Sequence, residues 1–206
     1  MENEINTIIF DLGGVLVDWN PEYVFLKEFR GDREKMNWFL NTVCAWEWNA
    51  NQDAGYPLSK ATEDRVRMFP EYEDLIRMYY GRWEEMLGYT HTDTLQILEK
   101  LVNDPDYRVL ALTNWSGETF HVARQKFEWL QWFEGIVVSG DEGMRKPFME
   151  IYELLLSRYE VNPAEAVFID DSLENVKGAQ KAGLHGIHFT SAATLTESLA
   201  NLGVKI

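Results

Sequence analysis

The chain has 206 residues, 34 of them acidic and 19 basic, for a net charge of −15. Such a surface repels phosphate backbones and speaks against nucleic acid as a partner, although a local site can still take a small phosphorylated metabolite. Cys44 stands alone, which excludes an intrachain disulfide, and no apolar run approaches the ~20 residues of a membrane span.

The acidic start, Met1-Glu2-Asn3-Glu4, runs directly into an apolar segment and does not read as a signal peptide. A cytoplasmic protein without membrane contact is expected, as a monomer or weak dimer. The first element is the run Thr7-Ile8-Ile9-Phe10, which ends in Asp11 and is followed by Gly13 and Gly14. Apolar β-formers and then glycines read as a buried strand breaking into a tight loop. Asp11 therefore sits at the carboxyl end of a strand, where open α/β sheets bind ligands. Gly13 and Gly14 add no side-chain bulk, so the loop's N–H groups can approach an anion closely.

Residues 21–88 carry helical periodicity and no strand signal. Asn20-Pro21 opens this segment, and Leu75-Ile76, Tyr79-Tyr80, Trp83 and Met86-Leu87 recur at helical spacing. A helical insertion holding Trp38, Trp46, Trp48 and Trp83 would lie over the sheet edge as a lid. Beyond it, strand-like runs at 108–112, 135–139, 166–169 and 186–189 are separated or followed by helical segments near 117–130, 149–159, 172–182 and 194–202. That alternation predicts an α/β fold: a Rossmann-like parallel five-stranded sheet with an α-helical cap. The expected division is a core of residues 1–19 and 89–206 and a cap of residues 20–88.

Four short patterns fall at or just past strand ends: Asp11 with its glycines, Leu112-Thr113-Asn114-Trp115-Ser116, Gly143-Met144-Arg145-Lys146-Pro147, and Phe168-Ile169-Asp170-Asp171-Ser172 with Asn175 beyond. In a parallel sheet these ends meet on one edge. Three carboxylates in one cleft repel unless a cation neutralises them, and oxygen ligands of this kind suit Mg²⁺. Lys146 would balance Asp11 and a transferring phosphoryl group, and Thr113 and Asn114 would offer neutral hydrogen bonds to its oxygens.

Through FDLGGVLVDWNP, LTNWS, SGDEGMRKP and FIDDSLENVKGAQKAG the whole chain resembles the haloacid dehalogenase superfamily. Within it, the pattern DLG(G/N)V resembles that of sugar-1-phosphate phosphatases. The resemblance implies a phosphatase in which Asp11 attacks phosphorus to form an aspartyl-phosphate, with Lys146 as its catalytic partner. It also implies that Asp11, the Gly13 carbonyl and Asp171 hold Mg²⁺, with Asp170 as a direct or water-mediated ligand. Thr113, Asn114 and Lys146, beside Gly13 and Gly14, would hold the phosphoryl group.

One position departs from the pattern. Phosphatases of this superfamily usually carry a second Asp two residues after the nucleophile, as general acid and base. Here that position is Gly13, which has no proton to give. Three readings stay open: a phosphatase whose substrate has a good leaving group, such as an aldose 1-phosphate; a metal-independent 2-haloacid dehalogenase-type hydrolase; or a catalytically impaired scaffold that binds a phosphometabolite. Asp18 reads as a brace for the first cap helix. In the cap, the stretch from Trp46 to Gly55 breaks periodicity with polar groups and a Gly, consistent with a loop dipping toward the cleft. Asn49, Gln52 and Asp53 are candidates for sugar hydroxyls, and Trp46 or Trp48 for stacking on a ring.

Overall fold

The computed structural model describes residues 4–206, so the acidic start at residues 1–3 lies outside the described residues. In chain order the strands are β1 (Thr7–Phe10), β2 (Val17–Trp19), β3 (Leu87–Thr90), β4 (Arg108–Thr113), β5 (Gly135–Val138), β6 (Ala166–Asp170) and β7 (His185–His188). Five of them form a parallel sheet in the order β5-β4-β1-β6-β7, with β1 at its centre.

The period-2 alternation of β1 explains that central place. Ile8 and Phe10 enter one apolar cluster and Ile9 the other, so both faces of the strand are covered. Val109 and Ala111 of β4 likewise face the first cluster, while Leu110 and Leu112 face the second. Ile8, Ile9 and Phe10 are wholly buried, and full burial of such a side chain stabilises by roughly 1.5–3 kcal/mol. The first face is closed by α6 (Thr92–Asn103), α7 (Gly117–Lys126) and α11 (Ala192–Asn201), and the second by α9 (Met149–Arg158) and α10 (Leu173–Lys181). A single turn, α8 (Ser139–Glu142), follows β5.

Register sets the site. Phe10 pairs with Ala111 on one side and with Ile169 on the other. The next residues along, Asp11, Leu112 and Asp170, therefore stand level at the carboxyl edge.

The insertion holds five helices: α1 (Glu22–Glu28), α2 (Arg33–Thr42), α3 (Trp46–Gln52), α4 (Leu58–Met68) and α5 (Glu73–Gly81). Its core is aromatic, with Phe25 5.1 Å from Phe39 and 5.9 Å from Tyr79, and Trp48 5.2 Å from Tyr79. The antiparallel pair β2–β3 forms its stem. Val17–Trp19 (VDW) and Leu87–Thr90 (LGYT) break any apolar run with Asp18 and Gly88, so the sequence reading holds no strand there. Asp18, in that stem, accepts from the Tyr23 hydroxyl of α1 at 2.6 Å. Helix α6 carries Thr94, Ile97, Leu98 and Leu101 on one buried stripe, a pattern the sequence reading passed over. The segment predicted as helix to residue 130 leaves the α-helix at Lys126 and continues as a 3₁₀ turn, because Phe127, Trp129, Leu130 and Phe133 all bury there.

The cap tip is seated on the core. The Ser139 hydroxyl donates to the Asp53 carbonyl, and the Leu58 N–H donates to Glu118 Oε1 at 2.8 Å. Gly55 lies at φ +88°, and a Cβ there would come within 2.9 Å of the Gly140 carbonyl oxygen, so only glycine allows this approach.

Candidate active site

Lys146 is the electrostatic centre of the carboxyl edge. Its side chain is fully buried, and its ammonium donates to Asp11 Oδ2 at 2.9 Å, to Asp170 Oδ2 at 2.7 Å and to the Leu112 carbonyl at 3.0 Å. All three donors of the ammonium are thereby satisfied. Burial alone would lower the Lys146 pKa, but Asp11 and Asp170 outweigh it and hold the ammonium above its ordinary value. Burial pushes Asp11 well above the usual carboxylate range; Lys146 pulls against this, and Asp170 and Asp171 add to it. The Leu12 N–H donates to Asp11 Oδ1 at 2.7 Å and fixes the carboxylate plane.

Asp170 is locked from behind. Ser172 N–H donates to its Oδ1 at 2.7 Å, and Asn175 Nδ2 reaches both oxygens at 3.0 and 3.1 Å. Asp171 turns outward, and Gly14 makes room for it: a Cβ at Gly14, which lies at φ +73°, would fall 2.1 Å from Asp171 Oδ2. Asp11, Asp170 and Asp171 each bring a carboxylate oxygen within 4.8 Å of the others. Three carboxylates against one ammonium leave two negative charges uncompensated. That surplus, with an all-oxygen donor set, fits a hard divalent cation such as Mg²⁺. Because both Asp170 oxygens are already engaged, Asp11 and Asp171 have the freer lone pairs.

Next to this cluster lie donors without acceptors. The buried Thr113 hydroxyl, at the end of β4, has no partner among the described residues. The same holds for the backbone N–H groups of Gly13 and Asn114. Two expectations change here. The Gly14 N–H donates to the Val17 carbonyl at 2.9 Å, closing a turn, and so does not face an anion. The Asn114 side chain is partly committed: its Oδ1 accepts from the Lys146 N–H and its Nδ2 donates to the Lys146 carbonyl, which leaves one amide hydrogen for a phosphate oxygen.

The cluster opens into a cavity of about 290 Å³ between core and cap. Its wall includes Asp11, Gly13, Gly14, Asn114, Lys146 and Asp171 from the core, with Trp46, Asn49 and Asp53 from the cap. Gln52 and Trp48 lie elsewhere: Gln52 is buried in the cap and donates to the Tyr80 hydroxyl at 2.9 Å, and Trp48 packs among the cap aromatics. Sequence reasoning missed Trp19, Tyr80, Trp83, Trp115 and Arg145, which also line the wall. Trp83 and Trp115 meet at 5.3 Å across the cap–core boundary. No local signal marks these residues as cavity-lining, because the contact joins distant segments.

The model of the haloacid dehalogenase-like hydrolases matches residues 5–183. The chain belongs to this family. A sesquiterpene phosphatase of Aspergillus oryzae is 45% identical over 199 residues, covering 92% of this chain and 92% of that protein. A drimenol cyclase of Aspergillus calidoustus is 26% identical over 96% of this chain but only 36% of its own length. Among solved structures, a haloacid dehalogenase family enzyme of Bacteroides thetaiotaomicron in a magnesium complex superposes with a TM-score of 0.69, at 22% identity over 91% of this chain and 94% of that one. The five-stranded sheet with its cap is thus the fold of this hydrolase family, whose members similar to this chain include phosphatases. No helix of the described residues is long and apolar enough to cross a membrane.

Proposed function

We propose that this hydrolase is a Mg²⁺-dependent phosphomonoesterase working through an aspartyl-phosphate on Asp11. The observation that carries the reading is the buried Asp11–Lys146–Asp170 cluster opening, with Asp171, onto a cavity between core and cap. Asp11, the Gly13 carbonyl and Asp171 would hold the cation, with Asp170 direct or through water. When bound, the cation neutralises the surplus carboxylate charge and polarises the phosphoryl oxygens. The Thr113 hydroxyl and the Gly13 and Asn114 N–H groups are the unpartnered donors that would take those oxygens. Lys146 fixes the Asp11 carboxylate for attack and carries positive charge to where negative charge develops.

For the substrate, the cavity wall supports a small phosphate ester of an apolar alcohol. Trp19, Trp46, Tyr80, Trp83 and Trp115 present aromatic surface, while the Asn49 amide is already engaged with Tyr80 and Asp53 and Gln52 is off the wall. The 45%-identical sesquiterpene phosphatase points the same way. An aldose 1-phosphate is the second reading, favoured by Gly13, whose lack of an acid suits a leaving group that needs no proton.

Phosphate release from terpenoid-alcohol phosphates, simple alkyl phosphates and aldose 1-phosphates, with and without Mg²⁺, tests the reading, with Asp11→Asn as control. Turnover needing both Mg²⁺ and Asp11, with the highest kcat/KM on an apolar ester, is expected. A preference for aldose 1-phosphates would replace the apolar substrate, and metal-independent halide release from a 2-haloacid would overturn the phosphatase.

A further inference from the structure

We infer that Asp53, carried by the cap, delivers the proton to the leaving oxygen and later takes one from the attacking water, the task that Gly13 cannot perform. The inference rests on the phosphatase reading above. Gly13 leaves space beside Asp11: a Cβ built there meets nothing within 4 Å. On the cap side of the same cavity stands Asp53, a buried carboxyl with no lysine or arginine paired to it within salt-bridge distance among the described residues.

The cap holds this carboxyl in one orientation. Gln52 Nε2 donates to the Tyr80 hydroxyl at 2.9 Å, so that hydroxyl's own hydrogen goes to Asn49 Oδ1, also at 2.9 Å. The Asn49 amide is thereby oriented, and its Nδ2 donates to Asp53 Oδ2 at 3.1 Å. Oδ1 has no side-chain hydrogen bond and is the oxygen available to carry the proton. Asn49 and Asp53 are four residues apart and share a helix face, and Gln52 holds the Tyr80 hydroxyl that orients Asn49. Asp53 also closes the C-terminal end of α3, where a negative charge opposes the helix dipole, so the position favours the neutral acid.

The groups around Asp53 set its proton affinity. Burial is the largest influence and pushes the carboxyl up to about 7, against the pull of Arg145 and Lys146 from the core loop and of the Ser116 N–H beyond β4. Tyr79 and Tyr80 of α5 also face it; Tyr79 is buried, Tyr80 partly so, and both are neutral across this range. An acid that titrates near neutral pH is matched to proton transfer in both directions.

The step balances. As Asp11 bonds to phosphorus, the bond from phosphorus to the leaving oxygen breaks, and that oxygen takes the Asp53 proton to leave as the alcohol. The Asp53 carboxylate then takes a proton from water while the water oxygen bonds to phosphorus and the Asp11–phosphorus bond breaks. Phosphate leaves, Asp11 is again a carboxylate, and Asp53 is again protonated. Since the Asp53 carbonyl is seated on the Ser139 hydroxyl, the proton donor is in place only when the cap is down.

The test compares a simple primary alkyl phosphate with 4-nitrophenyl phosphate, using full-length protein in Mg²⁺. For Asp53→Asn, kcat/KM on the alkyl phosphate should fall about 10²–10⁴-fold, against about tenfold or less on 4-nitrophenyl phosphate, whose leaving group needs no proton. On both esters kcat should fall, because both pass through the water step that Asp53 serves as base. Asp53→Glu should recover part of the alkyl-phosphate loss. Wild-type protein gives an independent reading: kcat/KM for the alkyl phosphate should decline above neutral pH while that for 4-nitrophenyl phosphate does not. Equal losses of kcat/KM on the two esters, or a raised KM with kcat intact, would overturn the inference. If wild-type protein turns over both esters and Asp11→Asn neither, while Asp53→Asn keeps the wild-type leaving-group profile, Asp53 alone is misassigned. If wild-type protein turns over neither, the phosphatase reading falls and the inference with it.

Discussion

Asn114 grips the backbone of Lys146 at both ends: its Oδ1 accepts from the Lys146 N–H at 2.9 Å, and its Nδ2 donates to the Lys146 carbonyl at 3.1 Å. The amide thus positions the lysine that faces Asp11. Asn114→Ala removes both bonds and leaves the Lys146 N–H without its acceptor, which costs about 1–3 kcal/mol of stability. A lysine displaced by about 1 Å costs on the order of 10²-fold in rate. The variant should therefore lose kcat far more than it raises KM, with a lower melting temperature. Wild-type kcat in Asn114→Ala would contradict the positioning role.

The two surplus negative charges at Asp11, Asp170 and Asp171 imply that Mg²⁺ stabilises the folded protein on binding. At a hundredfold excess over its Kd, a ligand that binds only the folded state adds about 2.7 kcal/mol. Wild-type protein should show a rise in melting temperature with Mg²⁺, and Asp171→Asn should show little. An equal rise in both would place the cation elsewhere.

Asp53 gives a stability signature separate from turnover. Its carboxyl titrates at about 7 in the folded protein against 3.8 ordinarily. Between those values the folded state holds a proton that the unfolded state has lost. The stability is thus fully present below about pH 4 and is lost as pH rises through about 7. Asp53→Asn removes the titration while keeping a polar isostere. The variant should melt higher than wild type at pH 8, by on the order of a few kcal/mol, and the gap should close by pH 4. A gap that does not change with pH would show that Asp53 titrates as an ordinary carboxylate.

How much of this was legible follows from the range of each interaction. The strand ends carrying Asp11, Thr113 and Asp170 were readable, because a buried parallel strand must be an apolar run and its end is marked by the first polar residue or glycine. The family pattern placed Lys146, whose three acceptors come from three strand ends. The Asn114 contact spans 32 residues to a loop backbone, and no local pattern announces it. Gly14 looked like part of an anion cradle, yet its N–H closes a turn on Val17. Gln52 and Asp53 are adjacent in sequence, but one helical step of about 100° separates their faces, so only one reaches the cavity. The aromatic wall joins Trp19, Trp83 and Trp115 from separate segments, and only the docked cap brings them together.

Gly13 offers a rescue experiment. Its backbone does not lie at positive φ, and a Cβ there meets nothing within 4 Å, so a side chain can start from this position. In the Asp53→Asn background, Gly13→Asp should recover roughly tenfold or more of the alkyl-phosphate turnover, because general acid catalysis is worth about 10²–10⁴-fold. No recovery in a folded double variant that still binds Mg²⁺ would mean that the space beside Asp11 is not on the leaving-group side.

The central claim is that Asp11 is phosphorylated during turnover. With 4-nitrophenyl phosphate the first step needs no acid, so the second becomes slow and the intermediate builds up. Rapid acid quench in Mg²⁺ should show a burst of nitrophenol approaching one per active site. Peptide masses should place one phosphoryl group on the segment holding Asp11, absent in Asp11→Asn. Turnover with neither burst nor adduct, or a phosphoryl group on another residue, would contradict the account.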